Sequence, residues 1–283
     1  INMDALYGNV NNAMQNTKGF FESNSMVMNF AFLILVLIVF LLLMQVGINL
    51  IQWILSPSGN PHLIDGMIDS KQMMIYEQDP NEKKSKTILR SSNENEGIEF
   101  TWSVWLFIDD MEYNRGKFRH IFHKGEEKSS SIEGSEINAG MNYPNNAPGL
   151  YLTPVKNNLL VVMNTFHNVT EQVEIEEIPV NKWVNVMIRC ENRTLDAYVN
   201  GTIVKRHILT GVPRQNYGNV YVSMNGGFSG YTSDLWYFDY GLGTTEIDGI
   251  QKRGPNTTMV DNNALMAKYP NYLSFKWFLG NNY

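Results

Sequence analysis

The chain has 283 residues, enough for one or two domains, and its 22 Lys and Arg against 28 Asp and Glu leave a net charge of −6. That balance excludes nucleic-acid binding by phosphate neutralisation, which needs a clustered basic excess. The lone cysteine, Cys190, excludes an intrachain disulfide and a cysteine-built zinc or iron–sulfur site, and it favours folding in a reducing compartment.

Residues 1–25 are polar and nearly uncharged, and are expected to form a short arm. From Phe30 to Met44 every residue is apolar, and no charged residue occurs between Glu22 and Asp65. About 20 helical residues cross a hydrocarbon core of roughly 30 Å, so residues 26–56 are expected to form one transmembrane helix. Phe30, Leu35 and Leu41 anchor it in lipid, and Trp53 sits at the interface before Pro57 ends it. A cleaved signal peptide fits less well, because the residues before the run are polar and not basic. Gln45, Asn49, Gln52 and Ser56 share one helical face. That polar stripe either hydrogen-bonds a neighbouring helix in the membrane or lies among lipid headgroups.

Residues 57–96 read as a connector, broken by Pro57 and Pro61 and by the charged turn from Asp79 to Lys86. Between them, the pattern from Leu63 to Tyr76 fits a short strand or a helix equally well. From Ile98 the texture changes to short alternating runs bounded by turn residues. Phe100, Trp102, Val104, Leu106 and Ile108 alternate with Thr101, Ser103, Trp105 and Phe107, so one face is expected in a core. Trp105 and Phe107, on the other face, are too apolar for water and call for a partner or for a cover from the connector or tail. Further strands are expected at 118–124, 149–153, 159–165, 173–178, 183–190, 194–199, 202–209, 219–224 and 231–240. Asn200-Gly201 between two of them is a type I′ hairpin signal. The fold class is therefore mainly β, a two-sheet antiparallel jelly-roll sandwich over residues 97–253, with one N-terminal transmembrane helix. The tail, 254–283, is expected to pack on the sandwich.

Chemistry-bearing patterns are sparse. His120 and His123, three apart on a strand, are expected on opposite faces, which argues against a shared metal. Glu174 and Glu176 share a strand face, as the acid and nucleophile of a retaining glycosidase do, but Pro179 cuts the run short and suggests an edge strand with a solvated acidic face. No nucleophile–histidine–carboxylate set or phosphate loop stands out, so the expectation is a non-enzyme without a cofactor or metal. Four N-x-[ST] acceptors occur, at Asn168, Asn192, Asn200 and Asn256.

The run Trp183-Val184-Asn185-Val186-Met187-Ile188, followed by Leu195-Asp196-Ala197-Tyr198-Val199-Asn200-Gly201, resembles the concanavalin A-like, or laminin G-like, superfamily. The segment from Phe228 to Tyr237, with Leu242 and Glu246-Ile247 after it, resembles that family's closing strand and the short turn that follows. The family's calcium and sugar ligands lie in variable loops, and no motif here takes them over. A narrower resemblance rests on Asn60-Pro61-His62-Leu63-Ile64-Asp65-Gly66-Met67-Ile68-Asp69, on residues 98–106 and on His120-Ile121-Phe122-His123-Lys124-Gly125 behind a membrane helix. It is to membrane-anchored laminin G-like proteins of large icosahedral DNA viruses with an internal membrane. That resemblance implies a minor capsid protein in the virion, with the bilayer and other capsid proteins as partners and no nucleic acid. The β domain would face the capsid, the cytosolic side during assembly. The alternative is a membrane-tethered lectin that binds glycan through the 125–148 loop, with Asn142, Tyr143 and Asn145 as the candidate residues.

Overall fold

The structure, a computed structural model, describes residues 25–82, 85–91, 93–94, 97–127 and 139–260. Nearly all of the expected arm and the tail beyond residue 260 lie outside the described residues. The chain divides into two units, residues 1–56 and 57–283.

In the first unit, helix α1 spans Ser25–Leu55 and carries no acidic residue in its first turn and no basic residue in its last. Its stretch Met28–Ile54 is long and apolar enough to cross a membrane, and none of it is buried within the protein. Phe30, Leu35, Leu41 and Trp53 are each more than half exposed. Gln45, Asn49 and Gln52 are exposed as well. A helix apolar on every face has no stable home in water unless protein covers it.

The second unit is a two-sheet sandwich, as expected. One sheet runs in the order β1 (His62–Asp69), β13 (Ser229–Phe238), β4 (Gly97–Asp110), β9 (Trp183–Glu191), β10 (Thr194–Val199) and β11 (Thr202–Ile208), with β3 (Asn93–Glu94) also paired to β4. The other runs β2 (Met74–Tyr76), β12 (Asn219–Val222), β5 (Arg119–Gly125), β6 (Gly149–Leu152), β7 (Leu159–Met163) and β8 (Glu171–Ile175). All these pairings are antiparallel. The undecided segment 63–76 is two strands, β1 and β2, one in each sheet. Asn200 and Gly201 (φ 49° and 76°) join β10 to β11 and take the left-handed values a type I′ turn requires. Strand β8 is an edge strand.

The core lies between the sheets. Phe100, Trp102, Val104, Leu106 and Ile108 of β4 enter it, as the alternation requires. Trp102 meets Phe122 of the opposite sheet at 5.2 Å and Tyr237 of the neighbouring strand at 5.0 Å between ring centroids. Cys190 is a free, fully buried thiol in the same core, and burial pushes its titration up to about 12.

Each sheet also buries part of its outer face. Helix α2 (Thr244–Arg253) sits on the first sheet, where Leu242 and Ile247 cluster with Met187. Glu246 lies in its first turn and Lys252 and Arg253 in its last, matching the helix dipole. Trp105 is buried and lines, with Leu242, Ile250 and Arg253, a cavity of about 320 Å³. Its surroundings are this helix together with Asn60 of the expected connector and Gly254 at the start of the expected tail. Phe107 is half-buried and packs on Trp183 and Tyr231. Residues 258–260 hydrogen-bond to Met67 of β1.

A β-bulge in β4 opposite Gly230 brings the backbones unusually close. Gly230 has φ +135°, and a Cβ there would lie 1.8 Å from the Phe107 carbonyl oxygen. Gly230→Ala is therefore expected to cost about 3 kcal/mol, through strain and backbone displacement. A lowered thermal midpoint of tryptophan fluorescence in the detergent-solubilised chain would register it, and an unchanged midpoint would refute it.

Candidate ligand-binding cleft

At one end of the sandwich the chain from β11 to β12 crosses from one sheet to the other. Phe166 N–H donates to Val212 O (3.1 Å), Arg214 N–H to Asn164 O (2.8 Å), and Asn216 Nδ2 to Lys124 O (3.0 Å), which fixes the crossing segment. Beneath it opens a cleft of about 460 Å³. Phe100, Trp102 and Tyr237 form its aromatic side, and Phe166 and Tyr217 stand exposed beside it. Among the described residues, its charged lining side chains are Arg90, Lys124 and Arg214. Lys124 is buried and donates from Nζ to Gly218 O (2.7 Å). Burial lowers its titration to about 8. Tyr237 is 1% exposed; burial, and then Asp239, push its hydroxyl up, while a hydrogen bond with the Gln215 side chain opposes the shift.

A second polar site lies on the outer face of the other sheet. The register of β5 slips between His120 and Phe122, so Ile121 and Phe122 both enter the core. The bulge turns His120 and His123 to the same face, which corrects the expectation of opposite faces. Their rings meet at 2.7 Å. The Met224 backbone N–H donates to His120 Nδ1 (3.0 Å), so His120 Nε2 holds the proton and donates to His123 Nδ1. His123 Nε2 then donates to Glu126 O (3.0 Å), and Asn142 Nδ2, 2.6 Å from that nitrogen, competes with it for the same carbonyl. In this relay both rings are neutral. Burial, and then the neighbouring His123, hold His120 well below the usual imidazole range; burial lowers His123 to about 4, although its bond to Glu126 opposes the shift.

Asn142, the first candidate sugar contact, belongs to this network and not to an open loop surface. It is 1% exposed, donates from Nδ2 to Glu126 O (2.7 Å), and through its backbone N–H meets Tyr151 Oη (3.3 Å). Asn146 and Tyr151 complete the set with a 2.5 Å hydrogen bond. Tyr143 and Asn145 are half-buried.

Of the acidic run, Glu174 is exposed and accepts from Asn158 Nδ2 (2.8 Å), while Glu176 lies past the end of β8. The carboxylate with a defined environment is Glu171, buried and bound by His207 Nε2 (2.9 Å) and by Thr210 N–H and Oγ1 (2.8 Å for Oγ1). Burial would raise its titration, but these donors outweigh it and leave the group below the usual range. Sequence reasoning missed a further cluster. A bulge at Asp234 (φ 48°) brings its carboxylate to 3.0 Å from His62 Nε2, and one donor atom each of His62, Asp65 and Asp234 lie within 4.8 Å of one another. Asp234 Oδ2 already accepts the Asn256 N–H (2.7 Å).

No family model and no curated protein matches this chain. Among solved structures, it is similar to the receptor-binding domain of botulinum neurotoxin D, at 14% identity and a TM-score of 0.45, over 67% of this chain and 43% of that one. It is also similar to the botulinum neurotoxin serotype G binding domain, at 12% identity and 0.45, over 66% and 46%. The receptor-binding domain of a botulinum neurotoxin C/D mosaic serotype gives 13% and 0.41, over 55% and 36%. The chain thus spans less than half the length of these chains. A likeness at this level says nothing of shared ligands or partners.

The histidine relay sets a pH dependence. Both folded-state values lie below the unfolded value of about 6.5, so the unfolded chain binds protons first as the pH falls. The contribution is complete above about pH 6.5 and is lost progressively below it, at up to about 1.4 kcal/mol per pH unit for each ring. Urea unfolding of the solubilised chain is expected to show it less stable at pH 5 than at pH 7, with the difference largely removed in His120→Gln/His123→Gln. The same pH dependence in that double variant would contradict the relay.

Proposed function

We propose that the chain is a membrane-anchored tether: α1 holds the sandwich at a bilayer, and the sandwich binds a protein partner without catalysis. The observation that carries this is α1 itself, apolar and exposed on every side, in the same chain as a self-contained sandwich. In its specific form, the reading makes this a minor capsid protein that links the inner membrane of a virion to the capsid shell. It follows from the resemblance of residues 60–69, 98–106 and 120–125 behind a membrane helix. The half-exposed aromatic surface of Phe107, Trp183 and Tyr231 is suited to a protein contact. The glycan alternative is the weaker, because Asn142 is enclosed by its own hydrogen bonds and only Tyr143 and Asn145 are left to carry it.

Crosslinking of native particles is expected to join lysines of the sandwich, such as Lys156, Lys182 and Lys205, to capsid proteins. Crosslinks confined to the chain itself would overturn the tether. The sandwich is further proposed to face the cytosol and to carry no N-glycans, although Asn168, Asn192 and Asn200 are exposed. Supporting this are the unpaired buried thiol of Cys190 and the assembly side implied by the resemblance. Treatment of native protein with peptide N-glycosidase should leave its mass unchanged, and a loss of mass would place the sandwich in the lumen.

A further inference from the structure

We infer that His62, Asp65 and Asp234 form a binding site for a divalent transition-metal ion of the zinc type. One donor atom of each residue lies within 4.8 Å of the other two, so a single ion between them reaches all three after small side-chain movements. His62 Nε2 and Asp234 Oδ1 are 3.0 Å apart. Two ligands of one zinc, at bonds of about 2.1 Å, stand roughly 3.0–3.4 Å apart. Asp65 Oδ1 lies 3.9 Å from His62 Nδ1, and its side chain is 46% exposed, which gives it room to turn inwards. The site is carried by two paired strands, whereas the calcium of the resembled superfamily lies in loops. It exists because both strands are irregular: the register of β1 slips on either side of Ile64, and that of β13 slips between Ser233 and Trp236, where Asp234 takes a left-handed backbone.

Outer contacts hold two of the donors in place, as they do in built metal sites. The His62 ring stacks on Trp236 at 3.8 Å and 10°, and the Asn256 N–H on Asp234 Oδ2 leaves Oδ1 for the ring side. Charge and donor type select the ion. Two carboxylates and a ligating, neutral imidazole balance a divalent cation. The imidazole favours zinc over calcium, which takes six to eight oxygens. Three protein ligands leave a coordination position for water. A second observation places an acceptor for that water. Asp234 and Asn60 line the same cavity of about 320 Å³ beside α2, and Asn60 Oδ1 is buried without a partner among the described residues, although the Asn60 side chain also hydrogen-bonds Tyr240. Such buried acceptors in folded proteins are almost always bonded, and a metal-bound water supplies the missing donor.

The test is isothermal titration of the full chain, without a histidine tag, in nanodiscs of neutral lipid with empty nanodiscs subtracted, using zinc chloride and calcium chloride. Saturable zinc binding at one ion per chain is expected, at least a hundredfold tighter than calcium. Asp234→Asn keeps an oxygen for the Asn256 N–H and suits the left-handed backbone, and Asp65→Asn changes an exposed side chain, so the fold tolerates both. Each is expected to weaken zinc at least tenfold, whereas His167→Gln, at an exposed histidine outside the trio, should leave it unchanged. No saturable heat above empty nanodiscs would make the trio an ion-pair cluster only and overturn the proposal. Calcium bound as tightly as zinc, full zinc affinity in either aspartate variant, or affinity lost in His167→Gln would overturn it as well. The outcome is independent of the tether, since crosslinks to capsid proteins can be found or missed whatever the titration shows.

Discussion

The sandwich depends on covering both faces of one strand. β4 is 14 residues long and lies inside its sheet, between β13 and β9. Its inward row, from Phe100 to Ile108, is withdrawn from water only because the second sheet stacks on it. Trp102, in ring contact with Phe122 across the gap and Tyr237 beside it, ties the two layers together. Its outward row is neither polar nor free. Thr101 Oγ1 donates to Tyr240 O (3.0 Å) and accepts from the Leu242 N–H (3.0 Å), so the chain leaving β13 is strapped over β4 and led into α2. Burial of Trp105 follows from that strap. The strand that organises the core therefore also dictates where α2 sits.

Burying outer faces forces polar groups inside. On the second sheet, His120, His123, Asn142, Asn146 and Tyr151 form a connected network whose direction starts from the Met224 N–H, and Asn142 Oδ1 is left without a partner among the described residues. The network is locked in its neutral state because His120 Nδ1 already accepts a backbone donor, which leaves no place for a second proton. Such a group is a structural element and is poorly suited to titrate or bind metal. At the cleft, buried Lys124 donates from Nζ to the Gly218 carbonyl, and the Tyr237 hydroxyl pairs with the Gln215 side chain.

The sequence alone determined the β architecture and the apolar helix. Alternation in residues 100–108, the Asn200-Gly201 turn and the uninterrupted apolar run from Phe30 are local signals, and local backbone and solvent preferences decide such elements. The burial of Cys190 was equally legible, because it shares a strand face with Val184, Val186 and Ile188. What failed was the inference that needed a regular register through β5. His120 and His123 share a face only because β5 bulges, and Asp234 reaches His62 only because β13 bulges. A bulge is settled by the fit of two strands far apart in sequence, and it leaves no periodic mark. The same holds for Asn142, whose Asn-rich loop reads as exposed until the sheet face beneath it supplies partners. The cleft was invisible for the strongest form of this reason. Arg90, Lys124, Arg214 and Tyr237 come from four distant segments, and only the packing of the sheets and the crossing between β11 and β12 bring them to one cleft.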